Sequence, residues 1–275
     1  VDQKDVDSTV NVDDMLKTAE QENIFSQPVL DVIKTADLGT QIGAGLGATP
    51  DDLKAYNALL IAAIIDNSSS ISGIPDGPEA VCAGQNLYIE AFIGSKQEAG
   101  ILLGTWLINE DDPVHPFVAA EDAVLLENGV NYHAQGVTPL YRKTSTVLAT
   151  LGLKMQVEYA DAGCPCSGIL LIVTDGRDED YYHTGKPFTA QHVKSMIEDL
   201  GENLIVQFMG IAGNKDVDFR QIALEMGVQP QFIMTPDATA HDIRDSFDLA
   251  SKSAVAASKT ADSFSQQAAK GFTVD

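Results

Sequence analysis

The chain has 275 residues, 44% of them hydrophobic, enough for a folded α/β domain with a sizeable core and too apolar for wholesale disorder. Forty Asp and Glu stand against 17 Lys and Arg, a formal net charge of -23. Such a chain repels phosphate backbones and anionic lipid surfaces, which disfavours nucleic acid as a partner, and no apolar run approaches the ~18 residues of a membrane-spanning helix, so no membrane insertion is expected.

Residues 1–55 differ from the rest. Three Asp and a Lys among the first ten residues, with no apolar core, do not read as an export leader. Further on, Met15-Leu16, Ile24-Phe25, Val29-Leu30 and Val32-Ile33 are spaced for one or two short helices, so an acidic, partly helical extension is expected. It ends in the glycine-rich stretch 39–47. There Gly43, Gly45 and Ala48 fit the letters of a dinucleotide-binding turn. That turn needs a buried strand before it and a helix after it; Thr35 to Gln41 is no such strand, and Pro50-Asp51-Asp52 interrupts any helix. A flexible linker is the expectation.

From 56 to 258 strands and helices alternate. Leu59 to Ile65 is a continuous apolar run, as in a strand covered on both faces. A helix is expected over Glu79 to Lys96, with Leu87, Ala91 and Phe92 on one side, then a strand over Ile101 to Ile108 and an edge strand with a turn in Val114 to Leu126. Pro139 to Leu153 reads as a helix, Gly168 to Val173 as a second buried strand, Ala190 to Leu200 as a helix and Leu204 to Ile211 as a strand. Val217 to Met226 (helix), Gln231 to Met234 (short strand) and Ala240 to Ser258 (helix) complete the series. Residues 259–275 read as a frayed polar tail. Alternation of this kind predicts a mostly parallel central sheet with helices on both faces.

In such a sheet, chemistry collects where strands end. Asp66-Asn67-Ser68-Ser69-Ser70 follows the first apolar strand, Thr174-Asp175-Gly176 follows Val173, and between them Gly136-Val137-Thr138-Pro139 opens a helix. Asp-x-Ser-x-Ser, a distant Thr in a G-x-T-P turn and a later Asp-Gly, in this order and strand context, resemble the von Willebrand factor A (vWA) domain over about residues 57 to 258. The segments from Phe208 to Ala212 and Phe219 to Ala223, then Met226-Gly227, resemble its intracellular bacterial members. The resemblance implies a three-layer Rossmann-like vWA fold and a metal-ion-dependent adhesion site formed by Asp66, Ser68, Ser70, Thr138 and Asp175. It also implies a divalent cation (Mg²⁺ first, Mn²⁺ or Ca²⁺ as alternatives) and a protein partner whose Asp or Glu completes the ion's shell. Work beside a MoxR-type AAA+ ATPase in the bacterial cytoplasm is the further implication. The chemistry agrees: a small hard cation takes about six oxygen ligands, hydroxyls add none of the charge that two carboxylates supply, and Ser68 and Ser70, two apart, can turn to one side of an extended loop. Ser69 and Ile71 stand where the family often has Gly and Met.

Two other readings keep the same residues. One is a secreted or surface adhesin, which requires an export signal; the other is an enzyme, either a metal-assisted hydrolase or a nucleotide-binding oxidoreductase. No general base beside the ligands, no G-x-S-x-G elbow and no Walker lysine supports catalysis, and a non-enzymatic module is expected. The three cysteines give no disulfide framework, and Cys164-Pro165-Cys166 reads as loop thiols, with a redox pair or half a metal site as the sharper alternative. The five His are scattered; His133 is placed either in a plain loop or beside the site. Asp178-Glu179-Asp180 is expected as a solvated acidic turn, with tuning of ion affinity or repulsion of wrong partners as the alternative, and Trp106 as core.

Overall fold

The computed structural model describes residues 11–53, 55–93, 100–180, 188–213, 216–259 and 261–272. Six strands form one sheet in the order β3-β2-β1-β4-β5-β6. They are β1 (Ala58–Ile65), β2 (Gly100–Leu107), β3 (Pro113–Ala119), β4 (Cys166–Thr174), β5 (Leu204–Gly210) and β6 (Ile233–Met234). Only β3, an edge strand, is antiparallel to its neighbour. The continuous apolar run predicts a central strand, and β1 is that strand: every residue in it is buried. Ile65 pairs with Leu107 on one side and Val173 on the other, so the ends of β1, β2 and β4 lie level.

Among the described residues, the α-helices longer than one turn are α1 (Val12–Gln21), α2 (Gln27–Thr35), α3 (Gly39–Leu46), α4 (Gly77–Glu90), α5 (Leu140–Leu153), α6 (Ala190–Leu200), α7 (Phe219–Glu225), α8 (Ala240–Ala257) and α9 (Ala261–Lys270). From β1 the chain steps to β2 through α4, and from β4 to β5 through α6, in the opposite direction across the sheet. Right-handed crossovers in opposite directions put their helices on opposite faces. The packing follows: α4 lies against α8, and α5 against α6 and α3. The result is a mixed, mostly parallel α/β Rossmann-like fold in three layers, the fold class read from the sequence. Because β2 and β4 lie on either side of β1, the strand order reverses there, and the crevice beyond its carboxyl end is where such sheets hold ligands.

Four expectations differ from what is found. Gly39–Leu46, expected as a linker, is a helix, and Gly45 serves packing: a Cβ there would stand 2.8 Å from Trp106 and 3.1 Å from Thr150. The helices before β1 add Leu16, Phe25, Leu30, Ile33, Leu38 and Ile42 to the one continuous core. The polar tail contains α9, which packs on α8 and buries Phe264, with Phe272 buried beyond it. Helix α4 begins at Gly77 and its regular turns end at Glu90; Leu87 is exposed and so is not on its buried side, while Lys96 lies outside the described residues. Trp106 is fully buried, edge-on to Phe117.

Candidate metal site at the carboxyl ends of the strands

Asp66 follows β1 directly, and its amide donates to the Val173 carbonyl (3.0 Å), which carries the ladder one residue past the strand. The side chain is fully buried. Its Oδ1 accepts from the Ser68 amide (2.8 Å); its Oδ2 accepts from the Thr174 hydroxyl (2.6 Å) and, more weakly, from the Asp175 amide (3.4 Å). Its carbonyl accepts from the Tyr132 hydroxyl (2.6 Å). Asp66 is thus fixed by groups from three parts of the chain.

The other ligand candidates form a chain of contacts from it. Ser68 Oγ and Ser70 Oγ lie 3.0 Å apart, and Ser70 Oγ donates to Asp175 Oδ1 at 2.6 Å. Asp175 follows the last residue of β4 and is buried. Ser69, outward from this row, holds the second loop: both its amide and its hydroxyl donate to the Gly136 carbonyl, each at 3.1 Å. Asn109, just beyond β2, donates to the Gln135 and Val137 carbonyls, and Asn67 Nδ2 to that of His133.

Thr138, on the second loop, is buried and lines the same cavity, where the third loop packs against it. A Cβ on Gly176 would stand 2.8 Å from Thr138 Oγ1, so glycine is what lets the two loops meet. The Glu179 amide donates to the Thr138 carbonyl (2.9 Å). One cavity of about 410 Å³ is lined by Ser68, Ser70, Thr138 and Asp175, with Gly176, Arg177 and Glu179 on its wall. Asp66 sits behind Ser68. All five residues named from the sequence therefore fall in one neighbourhood, four of them on the cavity surface.

The electrostatics of this neighbourhood are unbalanced. Burial, and then the nearby charge of Asp66, push the Asp175 carboxyl up to about 6; burial pushes Asp66 up as well, against the hydrogen bonds it accepts from Ser68 and Thr174. No Lys or Arg among the described residues makes an ion pair with either. Two buried carboxylates with hydroxyls between them, and no ion pair to either from the described residues, are a donor set that fits a small oxygen-seeking divalent ion. Among the described residues no group of three His, Cys, Asp or Glu gathers for metal binding, so any ion here depends on the hydroxyls.

Several supporting residues carry no strong sequence signal. Thr174, Tyr132, Asn67 and Asn109 hold the loops, and only Thr174, a polar residue closing an apolar strand beside Asp175, stands out in one dimension. The acidic turn is not solvated as expected. Asp178 accepts from the Tyr141 amide in the first turn of α5 (3.0 Å), and Asp180 is buried in an ion pair with Arg142 (3.2 Å). His133 is exposed and lines a different cavity, with Glu110, Asp111 and Asp112. Cys82, Cys164 and Cys166 are all free thiols, and His183 lies outside the described residues.

Sheet order, layers and a loop site beyond the central strands define an α/β Rossmann-like protein. No family model matches the sequence, and no curated protein matches it either. Among solved structures, the pilus adhesin SpaC from Lactobacillus rhamnosus GG, in its open conformation, is similar at TM-score 0.52 and 13% identity over 75% of this chain and 31% of that one. Proximal thread matrix protein 1 from the mussel byssus gives 0.47 and 12% over 71% of this chain and 48% of that one, and manganese-loaded TRAP from Plasmodium vivax gives 0.40 and 14% over 70% and 72%. Likenesses below 0.5 do not establish a shared fold, and the one to SpaC, at 13% identity, speaks for fold alone. The chain spans about half the length of the mussel protein and under a third of the adhesin (48% and 31%).

Proposed function

We propose that this chain is a non-enzymatic, metal-dependent protein-binding module of the vWA kind. Asp66, Ser68, Ser70, Thr138 and Asp175 would hold a divalent cation, Mg²⁺ by preference with Mn²⁺ or Ca²⁺ as substitutes, and the cavity beyond them would admit an Asp or Glu of the partner. The ion supplies an electrophilic anchor for that carboxylate when bound. The chain's own residues do the rest: Ser70 and the Ser68 amide orient the two carboxylates, Thr174 and Tyr132 fix Asp66, and the Glu179 amide in the loop 176–180 braces Thr138 at the cavity wall.

The observation that supports this most directly is the pair of buried, like-charged carboxylates, Asp66 and Asp175, joined through serine hydroxyls at the open end of the central strands. The test is calorimetry of Mg²⁺ with the native chain and with Asp66→Ala. Saturable uptake by the first and none by the second supports the reading; equal uptake, or none by either, counts against it. The partner class follows from the same resemblance: an intracellular bacterial assembly, with a MoxR-type AAA+ ATPase as the leading candidate. Among the described residues no helix is long and apolar enough to cross a membrane. A net charge of -23 repels an acidic partner at long range while the ion attracts one carboxylate at short range, so binding should need the ion and tighten at moderate salt.

A further inference from the structure

The turn that follows Asp175 has two sides. Asp178 and Asp180 face α5, where they take the Tyr141 amide and the Arg142 guanidinium, and the Glu179 amide ties the same turn to Thr138. The alternate residues, Arg177 and Glu179, are exposed, and both line the candidate metal cavity. Three attachments to α5 and its leading turn therefore hold two opposite charges on the rim of the cavity.

Arg177 is notable for what it does not contact. Arg142 pairs with Asp180, but Arg177 makes no ion pair with any described residue, although 40 of the chain's residues are acidic and Glu179 lines the same cavity. It is also the cationic side chain among the cavity's described lining residues. The cavity, at about 410 Å³, is much larger than one carboxylate, and its remaining wall at Gly73, Ile74 and Gly213 carries no charge. A free guanidinium presents a planar fork of donors that matches a carboxylate, and in a chain this acidic it is the feature that favours an anion.

We propose that the site takes a diacidic segment of the partner, one carboxylate at the ion and a second at Arg177, with Glu179 opposing it. This rests on the metal-dependent reading above and adds the class of ligand to it. Arg177 is then a specificity residue: it does not hold the ion, and it separates segments with two suitably spaced acids from segments with one. Glu179 on the same rim sets a ceiling on that preference by like-charge repulsion.

The test uses the full chain with saturating Mg²⁺ and synthetic Gly-Ser peptides carrying either one Glu or two Glu separated by zero to three residues, with affinities read by NMR titration. At least one diacidic spacing should bind about tenfold tighter than the single-Glu peptide, the size expected of one charge-assisted contact. Arg177→Gln should bring it to the single-Glu level while Mg²⁺ affinity stays the same, and Glu179→Gln should strengthen it. Arg220→Gln, an exposed arginine on α7, controls for net charge and should change nothing. A diacid-to-monoacid ratio unchanged by Arg177→Gln, or weakened by Glu179→Gln, overturns the proposal and leaves the ion-binding reading intact. Failure of the native chain to take up Mg²⁺ overturns both.

Discussion

Both ends of the central strands bury charge, and they handle it in opposite ways. Near the start of β4, Lys154 is fully buried in a π-helical turn that continues α5, 2.7 Å from Glu158, with its ammonium donating to the Ala48 carbonyl and lying 5.2 Å from the centre of the Tyr159 ring. Burial pushes Lys154 down and Glu158 up, and in each case the partner's charge acts against the shift. At the other end, Asp66 and Asp175 are both acidic, and the charge of Asp66 adds to the rise of Asp175. The first cluster balances its charge within the chain. The second has no ion-pair partner among the described residues, an excess that a bound cation would balance. Buried charge by itself does not mark a site; buried charge without an internal counterion, open to a cavity, does.

The largest expected effect breaks the closed end. Lys154→Ala leaves Glu158 without its partner and removes the link to Ala48, and should cost about 3–5 kcal/mol in urea unfolding. Asp175→Asn should behave in the opposite sense: it removes one of two like charges and keeps the oxygen that accepts from Ser70, so unfolding without metal should be as stable as the native chain or more so, while Mg²⁺ affinity falls at least about tenfold. If the two variants lost stability alike, the contrast between the ends would fail.

Next in size is a pH dependence. The folded pKa of Asp175 is about 6 against an ordinary 3.8, so between these values the folded chain holds the extra proton. Its contribution to stability without metal therefore falls as pH rises through that window and stays lost above it. With Mg²⁺ the sign reverses, because the ion needs the carboxylate ionised. The stabilisation by a fixed Mg²⁺ concentration, about 2.7 kcal/mol at a hundred times Kd, should be present at pH 7.5 and shrink below about pH 6. Thermal unfolding with and without Mg²⁺ at several pH values measures this; a metal effect that grew on acidification would contradict it. Gly176→Ala should displace Thr138 and weaken Mg²⁺ binding several-fold with the fold kept, read by calorimetry and circular dichroism. The smallest effect is Asp178→Ala, which leaves the Tyr141 amide without its acceptor and should cost about 1 kcal/mol in urea unfolding.

What could be read in one dimension follows from the same physics. Strands covered on both faces must be apolar throughout, so β1, β2, β4 and β5 were plain, and α6 appears with the limits its pattern gives, Ala190 and Leu200. That the five candidate residues would lie near one another was legible because short motifs follow those strands and the sheet's geometry brings strand ends together. What was not legible depends on neighbours distant in sequence. Gly45 looks like a linker glycine until Trp106 and Thr150 are seen against it. Asp180 looks solvated until Arg142 reaches it from 38 residues away. Tyr132 looks like a loop tyrosine until its hydroxyl meets the Asp66 carbonyl. The tail reads as polar because one helical face of α9 is polar, while Phe264, with Phe272 just beyond it, is enough to dock it.

The central claim is tested most directly by soaking crystals of the full chain in millimolar Mn²⁺ and collecting anomalous diffraction. The account predicts one strong manganese peak among Ser68, Ser70, Thr138 and Asp175, and its loss in Asp66→Ala crystals. No peak in that cavity, or manganese bound only elsewhere on the acidic surface, would contradict it.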